Sequence, residues 1–170
     1  QKYLCAVDLG VDQVKIYKFN YETGKITLVD MLRCEQESAP RIIKFSPDGR
    51  FAYLICELKN YISVYSYKDG PRGPIFELVQ TISTLNDYHS KGSAACVLRF
   101  SRDWSYVLCS NAGDNSIGIF KVDHETGMLE KICILPISGD YPKAADFFPD
   151  NRHIMSLNHE TNTMTIFKIN

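Results

Sequence analysis

The stretch FSPDGRF, residues 45–51, closes one short apolar run and opens another around a Pro-Asp-Gly turn. Pro presets one turn angle and Gly supplies the left-handed one, so the stretch reads as a β-hairpin. Its recurrence decides the fold. Phe100-Ser-Arg-Asp-Trp-Ser-Tyr106 aligns with it, and so does Phe148-Pro-Asp-Asn-Arg-His153. Four alternating segments also align: Val14–Phe19, Ile62–Tyr67, Ile117–Val122 and Met164–Ile169. Their period of two is that of half-buried strands. A second turn, Tyr21-Glu-Thr-Gly-Lys25, returns as His124-Glu-Thr-Gly-Met128. Tyr3, Tyr53, Tyr106 and Ile154 stand 50, 53 and 48 residues apart. A period near 50 made of short strands predicts β-propeller blades, each a four-stranded antiparallel meander.

Working outward from that hairpin, one blade takes strand A at 41–46, B at 51–57, C at 61–68 and D at 76–84. The next takes 94–100, 104–110, 116–122 and 129–135. An incomplete blade precedes them, with B at 3–8, C at 13–19 and D at 25–32. Another follows, with A at 143–148, B at 152–158 and C at 163–169. No stretch combines helical spacing of apolar residues with a cap. The expectation is all-β, with fourteen strands grouped as three, four, four and three. Propellers close by pairing their first and last blades, and open strand edges are a liability. Residues 1–170 are therefore expected to be a segment, about half, of one longer propeller. The remaining blades of the same chain, or another copy, would close the ring.

Composition narrows the function classes. The chain has 170 residues, 45% of them hydrophobic, enough for one core. Its 19 basic and 20 acidic residues give a net charge of −1, which argues against nucleic acid or an anionic membrane as the main partner. No apolar run approaches the ~20 residues of a transmembrane helix. The six cysteines, at 5, 34, 56, 96, 109 and 133, form no Cys-x-x-Cys pair. Most lie in apolar runs and read as small buried hydrophobes in a reducing cytoplasm. No metal-ligand spacing and no Gly-rich phosphate loop occurs, so neither metal nor cofactor is expected.

A meander also sorts the loops. A–B and C–D turns share one face of the disc; B–C and D–A connections share the other, where the inner strands reach the channel mouth. Asp8, Arg41, Glu57, His89, Lys91, Ser93, Asn111, Lys143 and Asn158 fall on that mouth face. A polar ring at a propeller mouth is a reasonable ligand site. The loop from Leu85 to Ser93 is longer than folding needs, and long loops are often functional. His89 and His159 lie on the mouth face, while His124 and His153 belong to the opposite turns; each reads first as a solvated loop residue. Asp8 and Asp12 read as ordering their B–C loop through side-chain-to-backbone bonds.

Several strings resemble a known family: Asp8-Leu-Gly-x-Asp12, Ala39-Pro-Arg followed by the Phe45–Tyr53 hairpin, Cys56-Glu-Leu-x-Asn60, Gln80-Thr-Ile-Ser-Thr84, Ser110-Asn-x-Gly-x-Asn-Ser-Ile117 and Tyr141-Pro-Lys143. Together they look like the lactonase family of seven-bladed propellers. That family holds the bacterial propeller-type 6-phosphogluconolactonases and the fungal carboxy-muconate lactonizing enzymes. The resemblance implies site roles for Arg41 and Glu57. It also exposes departures: Ile42 stands where the family has His, Cys96 where it has Glu, and Ala112 and Lys143 where it has Arg.

Lactone hydrolysis needs an activated water and a donor for the developing oxyanion, tasks suited to a carboxylate and to Arg or Lys. Arg41 opens strand A and Glu57 closes strand B beside it. The expected site has Glu57 and Arg41 as catalytic residues, with Lys143, His89, Lys91 and Asn111 binding a small anionic lactone or sugar phosphate. The alternatives are a mouth salt bridge in a non-catalytic propeller that binds a ligand or protein there, and a muconate-type lactonizing enzyme. The substitutions at positions 42, 96 and 112 weigh toward the non-catalytic alternative. The segment alone is expected to be inactive, since half its pocket would be missing.

Overall fold

Alternating apolar and polar residues, interrupted by Gly, Asn and Asp, fold into four antiparallel sheets in a computed structural model that describes residues 2–71, 73–86, 92–150 and 152–169. The first sheet holds β1 (Tyr3–Asp8), β2 (Gln13–Phe19) and β3 (Ile26–Arg33). The second holds β4 (Pro40–Phe45), β5 (Phe51–Cys56), β6 (Tyr61–Gly70) and β7 (Gly73–Ser83). The third holds β8 (Ala95–Phe100), β9 (Tyr106–Asn111), β10 (Ser116–Val122) and β11 (Leu129–Pro136). The fourth holds β12 (Pro142–Phe147), β13 (His153–Asn158) and β14 (Thr163–Lys168). Strands pair in chain order, so the expected grouping of three, four, four and three is what forms. Among the described residues the only helical turn is Leu9–Val11, and no helix is long and apolar enough to cross a membrane.

Two expectations need correction. The β6–β7 hairpin is longer than the sequence pattern implied, pairing down to Gly70 and Gly73. Aromatic packing extends it: Tyr67 and Phe76 are direct partners with ring centroids 5.1 Å apart. The repeat is also in a different register from the Tyr3, Tyr53, Tyr106, Ile154 alignment. Counted back from the last residue of each B strand (Asp8, Cys56, Asn111 and Asn158), the equivalent residues are Tyr3, Phe51, Tyr106 and His153. Aromatic identity misled the alignment, because the side-chain face is fixed by the loop that ends the strand.

The core lies between blades. Phe51, Tyr53 and Ile55 of β5 pack with Ile62 and Val64 of β6 against Leu98, Val107, Cys109 and Phe120 of the third sheet. Leu108, Ile117 and Ile154 make the next layer, and Val14, Ala52, Leu54 and Tyr65 the one before. Burying a side chain such as Leu98 or Ile55 stabilises by about 1.5–3 kcal/mol, which makes face-to-face stacking the main cohesion.

Side chains at one repeated position staple the blades on the mouth face. Asp12, Asn60, Asn115 and Asn162 all hold φ of 52–53°, the left-handed region that Asn and Asp tolerate. Asp12 accepts the Glu37 and Ala39 N–H groups, both at 2.8 Å. Asn60 donates to the Ser93 carbonyl at 3.0 Å. Asn115 accepts the Tyr141 N–H at 2.8 Å and donates to Asp140 at the same distance. Each bond runs from a B–C loop to the loop that enters the next blade. Asp12 thus orders the neighbouring D–A loop, a longer reach than the local one the sequence suggested. On the opposite face Arg50, in an A–B turn, donates to the His124 carbonyl of a C–D turn at 2.6 Å.

Candidate functional site at the channel mouth

The site begins with three backbone bonds. The N–H groups of Glu57, Ala112 and His159 donate to the carbonyls of Ala39, Ala94 and Tyr141, at 2.8, 2.8 and 3.0 Å. They place Ala39, Ala94 and Tyr141 at one repeated position. Two residues on, Arg41, Cys96 and Lys143 share another; Glu57, Ala112 and His159 share a third.

Arg41 is the extra residue of a β-bulge, since Pro40 pairs with Cys56 and Ile42 with Ile55. Lys143 is extra in the same way, between Pro142 opposite Asn158 and Ala144 opposite Leu157. A bulge re-aims a side chain that strict alternation would send elsewhere. Here it brings the Arg41 guanidinium Nη1 onto Glu57 Oε2. The Glu57 side chain is 17% exposed and that of Arg41 35%, so the pair is partly desolvated yet reachable.

Glu57 lines a cavity of about 470 Å³ with Leu58, Lys59, Asn60, Ser83, Leu85, Gly92, Ser93, Ala94 and Tyr141. That volume lies in the range of small-molecule sites. Among the described residues, Ser93 Oγ and Asn60 Oδ1 of its lining are buried and have no hydrogen-bond partner.

Cys96 is buried at the repeated position it shares with Arg41 and Lys143. Burial pushes its thiol pKa up, Arg41 and Lys143 pull it down, and Glu57 pushes it up, so the thiol lies within electrostatic reach of all three. It donates to the Ala94 carbonyl at 3.3 Å. Lys143 Nζ lies over the Tyr141 ring, 4.7 Å from its centroid. The structure therefore brings Glu57, Arg41 and Lys143 to one region.

The other expected residues fare differently. Asn111 is fully buried, and its amide donates to the Thr84 carbonyl at 2.9 Å and to Ser116 Oγ at 3.1 Å. It presents no surface to a ligand. Asp8 is engaged by Lys15 at 2.8 Å, and Asn158 by Thr163 and Thr165. His89 and Lys91 lie outside the described residues. Among the described residues, no group of three His, Cys, Asp or Glu side chains is arranged to hold a metal. Tyr141 is the residue that sequence reasoning missed as a site residue. The available signal was an aromatic at a repeated position that is Ala in the two preceding blades.

Comparison with known proteins gives a consistent picture. The family profile described as "Lactonase, 7-bladed beta-propeller" matches residues 1–170. An uncharacterised protein of Lactococcus lactis subsp. cremoris is 36% identical over 165 residues, covering 96% of this chain and 47% of that protein. The 6-phosphogluconolactonase of Bacillus subtilis is 28% identical over 166 residues, covering 98% of this chain and 46% of that protein. Among solved structures, the periplasmic gluconolactonase of Pseudomonas aeruginosa superposes with a TM-score of 0.90 at 27% identity, over 99% of this chain and 47% of that one. The chain thus spans about half the length of the relatives it matches.

Proposed function

This chain belongs to the family of seven-bladed β-propeller lactonases, and from that premise we propose that the full-length protein hydrolyses a sugar lactone of the 6-phosphogluconolactone class at its mouth face. The observation that carries the reading is the bulge that sets Arg41 on Glu57 at the rim of a small-molecule cavity. Glu57 orients a water and takes its proton as the water oxygen bonds to the lactone carbonyl carbon. Negative charge develops on the carbonyl oxygen, and a cationic group, Arg41 or Lys143, stabilises it. The ring C–O bond then breaks, and the proton held by Glu57 passes to the leaving alkoxide, giving the open-chain acid. The second cation is left to bind a phosphate or carboxylate on the substrate. His89 and Lys91 belong to the proposal as further groups of the mouth face that meet the anionic end. Six free thiols, three of them buried, support a cytoplasmic location for the whole protein.

A second reading has its own observation. The Arg41–Glu57 pair is already satisfied within the protein, and its repeat neighbours Cys96 and Ala112 are not ionic partners of it. In that reading the mouth binds a ligand without chemistry and the pair is a strut. The test is turnover of 6-phosphogluconolactone by the full-length protein, corrected for spontaneous hydrolysis. Saturable turnover above background is expected. Background-level hydrolysis together with saturable binding of 6-phosphogluconate would favour the second reading.

A further inference from the structure

We propose that Tyr141 is a positioning residue of the mouth site: its ring holds the Lys143 ammonium toward the Glu57 cavity and so selects lactones that carry an anionic substituent. The inference rests on the lactonase reading above.

The repeat supplies an internal control. Ala39, Ala94 and Tyr141 make the same backbone bond to the residue after strand B. Ala39 holds φ of 54° and Tyr141 φ of 62°. Ala39 therefore shows that an alanine meets this backbone requirement. A bulky residue in the left-handed region is an outlier that the surroundings must enforce. They do so: Asn115 accepts the Tyr141 N–H at 2.8 Å, and the Tyr141 carbonyl accepts the His159 N–H. The ring packs at the edge of the buried cluster that contains Ala94, Cys96 and Ala112, and the same placement puts its face under the Lys143 ammonium.

Three contacts describe that placement. Tyr141 lines the cavity that Glu57 and Ser93 line. Lys143 Nζ rests 4.7 Å from its centroid, within cation–π range. His159 stands edge-on at 6.5 Å. Lys143 is itself the bulged residue two positions on, and its charge reaches the buried Cys96 thiol, as do those of Arg41 and Glu57. A lysine is a point charge on a flexible stem, without the fork that orients arginine. The tyrosine face restrains that stem, so the ammonium is presented at low entropic cost. Arg41 and Glu57 handle the reacting carbonyl, while Lys143 on Tyr141 takes the remote anionic group. The phenol oxygen has no part in this; the ring does.

The full-length protein with Tyr141→Phe and Tyr141→Ala tests this, with Ala39 as precedent that alanine tolerates the backbone. Tyr141→Asn serves as the variant best suited to the left-handed region. Kinetics with 6-phosphogluconolactone and unphosphorylated gluconolactone give the main readout. For Tyr141→Ala and Tyr141→Asn, KM for the phosphorylated lactone should rise roughly tenfold with kcat nearly unchanged, the unphosphorylated lactone being little affected. Tyr141→Phe should behave as the parent. Independently, the Lys143 ε-methylene protons should show an aromatic ring-current shift in the parent and in Tyr141→Phe that Tyr141→Ala abolishes. A lost ring-current shift with unchanged KM for both lactones would overturn the positioning role and leave the lactonase reading standing. If the parent turns over neither lactone, the lactonase reading fails. Titration with 6-phosphogluconate then decides: binding weakened by Tyr141→Ala but not by Tyr141→Phe supports the selection of an anionic ligand, and equal or absent binding overturns it.

Discussion

Arg41 reaches Glu57 because it is the residue that a β-bulge leaves unpaired, and that single backbone irregularity turns a strand edge into a site. A long cation in regular alternation would share its orientation with Ile43, whereas the bulge frees it to lie across the neighbouring strand end. The ion pair is partly exposed, so its contribution to stability is small, about 0–1 kcal/mol for pairs of this kind. Arg41→Lys in the full-length protein should therefore shift the urea midpoint little. Its kcat/KM for the lactone should fall by about tenfold or more, because the ammonium lacks the second fork nitrogen. Parallel stability and rate measurements check this. A large stability loss with unchanged kcat/KM would identify a strut.

At the scale of the element, the blades are joined by the repeated left-handed position after each B strand. Asn115 is the informative member, since it accepts from Tyr141 and donates to Asp140. Replacing it by Ala removes both bonds and puts an unfavourable φ on a residue with a Cβ. A loss of about 1–3 kcal/mol is expected in urea unfolding, and Asn115→Gly, which suits the φ, should lose less. The strands themselves were legible because their signals are local: alternation, Pro-Asp-Gly and Glu-Thr-Gly turns, and a period near 50. So was the meeting of Arg41 and Glu57, which follows from two strand ends on one face. What was not legible depends on distant parts of the chain. The bulges at Arg41 and Lys143 emerge only from pairing register. The backbone of Tyr141 is set by Asn115, 26 residues earlier. Asn111 looked available from its place at a strand end, yet it is fully buried and held by Thr84 of the preceding blade and by Ser116.

At the scale of the whole molecule, three and a half blades' worth of contacts leave apolar side chains uncovered at both ends. Met164 and Ile166 on β14 are 53% and 50% exposed, and Leu4 on β1 is 48% exposed. The remaining length of the related proteins is where cover for them is expected, and an isolated 1–170 segment should bind a hydrophobic dye and lack lactone turnover. Acid sensitivity also belongs to this scale. Asp12 is held below the usual carboxylate range by the Ala39 and Glu37 N–H groups, and Asp103 by Ser101 and the Ser105 N–H. Their folded pKa values lie below the unfolded value of about 3.9, so the folded state binds fewer protons in that window. The stabilisation is intact above that pH and is lost as pH falls through the folded pKa. Urea midpoints measured downward from neutrality should drop below about pH 4, and Asp12→Asn, the residue used at the equivalent positions 60 and 115, should flatten the drop. The most direct test of the central claim is kcat of the full-length Glu57→Gln protein on 6-phosphogluconolactone. If Glu57 activates the water, kcat falls by about 10²–10⁴ with the fold intact; kcat equal to that of the parent would contradict the account.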